Sequence, residues 1–280
     1  MCRLLGMVAA RPMDTLGALL EGRRSLLAQS MCNPKRAQGD GWGIGHWTGR
    51  GWSVIKRPGA VFNEKERFRE AATHAVSSIV LAHVRRASNP LNLPRSRLLS
   101  FENSQPFGEG RYLFIHNGVV TIPQQVAATL GSYRKRIRGI NDSEVLFWLV
   151  MRNLKLTGGI PEAFSKSVDD LWTVWDRLGD AAREKAGKQF GRSAPYYGLN
   201  CFISDGKALH AFCKHDGASP KPALCGGKQP FFQLCHATRG NATLVASERT
   251  DSSTDWEFMP DRTVLSVRAA EPRKWAVVDL

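Results

Sequence analysis

Cys2 follows the initiator methionine in MCRLLG, and a cysteine at that position can do chemistry that an internal one cannot. Its plain reading is a small buried residue at the start of an apolar segment. Its chemical reading requires removal of Met1, which the small neighbouring residue favours. One residue then carries both a thiol and a free α-amine. Terminal amines serve as bases for hydroxyl and thiol nucleophiles, and an ordinary pKa of about 7.7–8.0 suits proton transfer near neutral pH. Choosing between these readings requires an oxyanion site and a way to hold a substrate elsewhere in the chain.

Three stretches can supply them. In LAHVRRAS (81–88), Arg85 ends an apolar run. It is either a surface arginine past a strand or a fork-shaped donor for a carboxylate. In FIHNGVV (114–120), Asn117-Gly118 is either a tight turn or an oxyanion hole made of a side-chain amide and a backbone N–H. The turn reading leaves an apolar segment interrupted, because two valines follow. In NDSEVLFWL (141–149), Asp142 opens a helical pattern. It is either an N-cap or an acceptor for a substrate ammonium. Arg85 and Asp142 together would read both charged ends of an α-amino acid. The Gly-rich QGDGWGIG (38–45) lacks the form of a nucleotide-binding loop, so its glycines are expected to allow close backbone packing against a catalytic strand.

Elements must position these residues. RLLGMVA (3–9) has the length of a strand, and 14–31 has helical spacing with Asp14 as a cap. WGIGHW and WSVIKRP flank TGRG as a hairpin. A helix is expected over 63–76, strands over 78–85 and 112–120, and a helix from Asp142 to about 156. A further helical region covers 160–186, and the last third returns to strands. The polar loop 87–110 is long enough to suggest a functional role. The pattern predicts layered sheets covered by helices in one domain.

The 280 residues contain 42% hydrophobic and 23% charged side chains, as a globular chain does. No secretory leader or run of about 18 apolar residues is apparent. The six cysteines form no CxxC pair and no zinc-finger spacing, so mostly buried free thiols in a reducing cytoplasm are expected. The formal net charge of +14 favours acidic ligands in general. The basic clusters at 85–97 and 133–138 belong to no nucleic-acid module, and YRKRIR reads as a solvated helix face or loop.

Taken in order, MCRLLG, DGWGIG, LAHVRRAS, FIHNG and NDSE resemble the class II glutamine amidotransferase domain, an N-terminal-nucleophile hydrolase. The likeness is greatest to its stand-alone branch, which includes the YafJ-like proteins and the γ-glutamyl hydrolase of ergothioneine synthesis. VASE (245–248) extends it toward the C-terminus.

The resemblance implies an α+β fold, a four-layer αββα sandwich with two antiparallel sheets, over a single domain at 2–280 with Met1 removed. It implies Cys2 as nucleophile, Asn117 and Gly118 as oxyanion hole, Arg85 as carboxylate reader and Asp142 as amine reader. Ser88, Gln105, Gly41 and Trp42 are further candidates. NSQPF carries Gln105 where many relatives have histidine, and Arg86-Ala87-Ser88 stands where synthase-feeding relatives often have Trp-Ala-Thr.

No cofactor or metal is implied. The expected activity is hydrolysis of the glutamine γ-amide through a Cys2 thioester. The alternatives are hydrolysis of a γ-glutamyl peptide or thiol conjugate, or a non-catalytic glutamine-binding partner subunit. The expected partner is a small molecule, with a separate ammonia-accepting synthase as an option, because KWAVVDL runs to residue 280. Neither membrane nor nucleic acid is expected as a partner.

Overall fold

A computed structural model describes residues 2–191, 193–215, 219–222, 225 and 229–280. In chain order its strands are β1 (Arg3–Met13), β2 (Trp42–Trp47), β3 (Trp52–Arg57), β4 (Ser77–Val84), β5 (Phe107–Glu109), β6 (Tyr112–Val120), β7 (Tyr196–Ser204) and β8 (Ala208–Cys213). They continue as β9 (Ser219–Pro222), β10 (Pro230–Phe231), β11 (Cys235–Arg239), β12 (Ala242–Ala246), β13 (Glu257–Phe258), β14 (Thr263–Arg268) and β15 (Trp275–Asp279). The helices are α1 (Leu26–Met31), α2 (Lys65–His74), α3 (Arg95–Leu98), α4 (Pro123–Ala128), α5 (Asp142–Thr157), α6 (Ile160–Asp176) and α7 (Asp180–Phe190).

β1 explains the layering. Successive strand residues face opposite sides of a sheet. Leu4 and Val8 pack with Ile115, Phe202, Leu209 and Leu265, which belong to a second sheet. Leu5, Met7 and Ala9 pack on the other side with Leu26 of α1 and Phe68 and Ala72 of α2. A strand buried on both faces reads as a continuous apolar run, as RLLGMVA does. Around β1 lies a seven-stranded sheet in the order β13-β11-β12-β1-β4-β2-β3. The second sheet has six strands, β15-β14-β8-β7-β6-β5, and β9 pairs with β10 separately. All described pairings are antiparallel. Phe147 of α5 and Phe164, Leu171 and Trp175 of α6 cover the second sheet at Phe114, Tyr196, Ile203 and Phe212. Each such fully buried Leu or Phe contributes roughly 1.5–3 kcal/mol. The result is helices, sheet, sheet, helices: the expected αββα arrangement.

Several local expectations are corrected. Residues 14–31 are not one helix. A short π-type turn at Gly17–Glu21 ends at Gly22, whose extended backbone (ψ 147°) breaks the periodicity, and α1 restarts after Ser25. Ser25 caps α1 by accepting from the Ala28 N–H. The helical region 160–186 is two helices, α6 and α7. Asp142 is not the cap of α5. Asn141 is, with its side chain accepting from the Ser143 N–H at 2.9 Å, and Asp142 is the first helical residue. The cysteine expectation holds for Cys2, Cys201, Cys213 and Cys235, which are free and buried. It fails for Cys32 and Cys225, which form a disulfide with Cα atoms 5.5 Å apart. That bond removes the cysteine argument for a reducing compartment. Among the described residues no helix is long and apolar enough to cross a membrane.

Candidate active site

Cys2 sits at the head of β1, where its neighbours are fixed from both sides of the chain. Ser247 accepts from the Leu4 N–H at 2.9 Å and returns its own N–H to the Leu4 carbonyl. Arg3 donates to the Cys2 carbonyl at 3.2 Å and forms a buried ion pair with Glu248 at 2.8 Å. VASE therefore acts as the anchor of the first strand. The Cys2 thiol donates to the Arg86 carbonyl and accepts from the Arg86 N–H, both at 3.4 Å. Burial pushes the thiol pKa up. The Arg86 hydrogen bond and the Arg85 charge pull it down, and Asp142 pushes it up. Of these neighbours only the Arg86 N–H and the Arg85 guanidinium favour the thiolate, the form in which cysteine is a nucleophile.

Arg85 follows the last residue of β4. The chain grips it on its backbone and its side chain together: its N–H donates to the Gly41 carbonyl at 2.8 Å, and its carbonyl accepts from the Asp40 N–H. Its Nη1 donates to the carbonyls of Asp40 and Leu98 at 3.1 and 2.8 Å. Burial lowers its pKa, against the nearby Cys2, Asp142 and Asp40. A guanidinium is basic enough to remain a cation in such a setting.

Asp142 is 1% exposed. Its Oδ1 accepts from the Ser88 hydroxyl at 2.6 Å, and its Oδ2 accepts from the Val120 N–H at 2.8 Å. Burial raises its pKa, opposed by Ser88, Val120 and the charge of Arg85. A carboxylate with two donors has lone pairs left for a third.

Asn117 and Gly118 lie within β6 rather than in a turn. The Asn-Gly pair instead marks a bulge. Gly118 pairs with Leu199, but Val119 pairs with Tyr197, so Gly198 on β7 is the extra residue. A Cβ on Gly118 would stand 1.9 Å from the Gly198 carbonyl oxygen. Only glycine permits that approach. Bulges re-aim the strand beside a site. Asn117 is 1% exposed, and its Oδ1 has no hydrogen-bond partner among the described residues.

Of the further candidates, Ser88 joins the cluster through Asp142, and Gly41 through the Arg85 backbone. Gln105 lies behind β6, holding the His116 backbone with its side chain. Trp42 is not brought to the cluster. It is fully buried under α2, edge-on to Phe68 at 5.2 Å, with its Nε1 donating to Glu64.

Sequence reasoning missed Asp40, which accepts from the Ala87 N–H and pairs with Arg95, so it ties down the loop after Arg85. Its signal was present as an acid inside the Gly-rich run. Arg3 and Glu248 were missed because partners 245 residues apart leave no local pattern. Among the described residues no three His, Cys, Asp or Glu side chains converge as a metal would require.

Comparison with known proteins adds to this geometry. The family model described as glutamine amidotransferases class-II matches residues 1–276. The γ-glutamyl-hercynylcysteine sulfoxide hydrolase of Mycolicibacterium smegmatis is 25% identical, over 96% of this chain and 97% of its own. Escherichia coli YafJ, named as a glutamine amidotransferase, is 28% identical over 76% of this chain and 73% of its own. Among solved structures, a class-II glutamine aminotransferase domain protein from Silicibacter pomeroyi superposes with a TM-score of 0.65 at 18% identity, covering 100% of this chain and 99% of that one. The glutamine phosphoribosylpyrophosphate amidotransferase of B. subtilis gives 0.57 at 15% identity, covering 99% of this chain and 49% of that one.

Proposed function

The chain belongs to the class II glutamine amidotransferases, and from that membership we propose that it hydrolyses the γ-amide of glutamine or of a γ-glutamyl compound through a Cys2 thioester. The domain would span 2–280 with Met1 removed. The observation that carries the reading is that the buried Cys2 thiol exchanges hydrogen bonds with Arg86, next to the buried Arg85, while Ser88, two residues further on, holds the buried Asp142 carboxylate.

In the proposed mechanism Arg85 binds the substrate α-carboxylate and Asp142 its α-ammonium, which fixes the γ-carbonyl against Cys2. The freed α-amine of Cys2, directly or through a water, takes the thiol proton. The sulfur attacks the γ-carbon, and the oxygen's developing charge meets the Asn117 amide and the Gly118 N–H. The tetrahedral intermediate collapses, and ammonia or an amine leaves with the proton. Water then attacks the thioester and releases glutamate. Ammonia would pass to a separate synthase if one binds. A cytoplasmic location is part of this proposal, and the Cys32–Cys225 bond is the observation against it. Alkylating the thiols in intact cells before lysis decides between them.

A larger leaving group has separate support: similar proteins are named γ-glutamyl-hercynylcysteine sulfoxide hydrolases. Intact-mass analysis together with glutamate release from glutamine and from a panel of γ-glutamyl amides tests the proposal. Loss of Met1 and loss of turnover in Cys2→Ala are expected. Turnover by a chain whose N-terminus is verified as blocked would overturn it.

A further inference from the structure

The run Asn103-Ser104-Gln105 is polar yet buried, at 3%, 0% and 2% exposure. It touches none of Cys2, Arg85, Asn117 or Asp142 through a described hydrogen bond, but it touches the chain neighbours of Asn117 and Asp142 and the backbone partner of Arg85.

Gln105 acts on the oxyanion strand. β5 pairs with β6 only over Phe107–Glu109, with Phe107 opposite Phe114. Two residues further, Gln105 stands opposite His116, where backbone pairing has ended. Its side chain takes over that role. Oε1 accepts from the His116 N–H at 2.6 Å, and Nε2 donates to the His116 carbonyl at 3.1 Å. One amide thereby satisfies both backbone groups of the residue before Asn117.

Asn103 acts on the amine reader. Its Oδ1 accepts from the Ile140 N–H at 2.8 Å, and its carbonyl accepts from the Asn141 side chain at 2.6 Å. Those residues immediately precede Asp142. Its Nδ2 donates to the Arg97 carbonyl in the covering loop. Ser104 lies against Gly41, whose carbonyl holds the Arg85 backbone.

The run is itself held by the other sheet. Lys56 of β3 donates to the Ser104 and Pro106 carbonyls at 2.8 and 3.4 Å. A Cβ on Gly43 of β2 would stand 2.2 Å from the Gln105 carbonyl oxygen. The second glycine of DGWGIG is thus the space into which this segment packs.

We propose that Asn103 and Gln105 are separate positioning residues on one segment: Gln105 sets the Asn117-Gly118 oxyanion pair through His116, and Asn103 sets Asp142 through Ile140 and Asn141. This rests on the function proposed above. Neither residue touches substrate. A buried segment with a purely structural role would shift all parameters together when damaged. Two positioning roles separate, because oxyanion stabilisation enters only in the transition state, whereas amine binding enters already in the ground state.

The test is steady-state glutamate release by Gln105→Met, Asn103→Ala and Asn103→Asp, with circular dichroism on each. Gln105→Met should lower kcat about tenfold or more with KM within about threefold. Asn103→Ala should raise KM about tenfold with kcat within about threefold, and Asn103→Asp, which keeps the acceptor for Ile140, should bring KM back within about threefold of wild type. If Gln105→Met does not fold, Gln105→Glu, which keeps the acceptor for His116, is read the same way. Unfolding of both shows a structural role and overturns the proposal. So do parallel changes in kcat and KM, or no rescue by Asn103→Asp. Wild type is measured first. Turnover without the split overturns only the positioning roles, while absence of turnover overturns the function and these roles with it.

Discussion

Ser88→Ala should move the acid limb of kcat/KM to higher pH by about one unit. The Ser88 hydroxyl donates to Asp142 at 2.6 Å, inside a site where burial already raises the Asp142 pKa. On the proposed reading, Asp142 binds a substrate ammonium only as a carboxylate, so kcat/KM falls as pH falls through its pKa in the free enzyme. A hydrogen bond to an ionised acceptor contributes roughly 1.5–3 kcal/mol and one to a neutral acceptor roughly 0.5–1.5. Only the difference, about 1 kcal/mol, favours the carboxylate over the acid, and about 1.4 kcal/mol corresponds to one pH unit. Removing Ser88 forfeits that difference, while the Val120 N–H continues to hold Oδ2. Above the limb the variant should therefore approach wild-type kcat/KM.

The assay is glutamate release as a function of pH in wild type, Ser88→Ala and Ser88→Thr, taken far enough to acid to resolve the acid limb in each. Threonine keeps the hydroxyl and should keep the wild-type limb. A limb that stays in place or moves to lower pH in Ser88→Ala would refute the electrostatic assignment of Asp142. A uniform loss at every pH would show Ser88 to be packing rather than charge support.

Other expectations rest on separate contacts. Asn117→Ala should keep the fold and lower kcat about 10²–10³-fold in steady-state assays, and a change in KM alone would remove it from the oxyanion role. Glu248→Gln should leave Arg3 buried and unpaired, costing about 3–5 kcal/mol in urea unfolding. A loss under about 1 kcal/mol would mean the charge finds water. Burial lowers the His116 pKa to about 4. Between its unfolded value and that one, the unfolded chain binds a proton that the native chain does not, so stability falls as pH falls through this window. The loss is roughly 3 kcal/mol, read as the difference in urea unfolding between about pH 6.5 and 4, and His116→Gln should lack that part of it.

The parts of this molecule legible in its sequence are those encoded locally. β1, β4 and β6 show as apolar runs, and the start of α5 shows as a cap followed by an apolar helix. Arg85, Asn117 and Asp142 were legible as charge or amide groups at strand and helix ends. The plain readings of these stretches were off by one structural step, since Asn-Gly makes a bulge rather than a turn and Asn141 rather than Asp142 is the cap. Both depend on a partner strand or on the next residue's backbone angle, which periodicity does not carry. Gly22 broke an expected helix because its extended backbone outweighs good spacing on either side. Asp40, Glu248 and the Cys32–Cys225 pair join distant parts of the chain, and only the folded arrangement brings them together.

On the proposed reading, the charges of the site are arranged for an incoming zwitterion rather than for each other. Among the described residues Arg85 forms no salt bridge, although it is 3% exposed and Asp142 lies within its electrostatic reach. Instead Arg85 is held by the carbonyls of Asp40 and Leu98, and Asp142 by a hydroxyl and a backbone N–H. Two buried charges that closed on one another would neutralise the site and leave little for a ligand. Held by neutral dipoles, each keeps most of its field, at a desolvation cost that a matching ligand offsets. On that reading an α-amino acid brings a carboxylate to Arg85 and an ammonium to Asp142. Ser88 and Leu98, which deliver two of these dipoles, lie on the same segment as Arg86, which holds the Cys2 thiol. On the proposed reading, one segment therefore supports both the charges that bind the substrate and the sulfur that attacks it. Arg85→Lys, which keeps the charge but loses the fork, should raise KM for glutamine in steady-state glutamate release, and an unchanged KM would remove Arg85 from the carboxylate role.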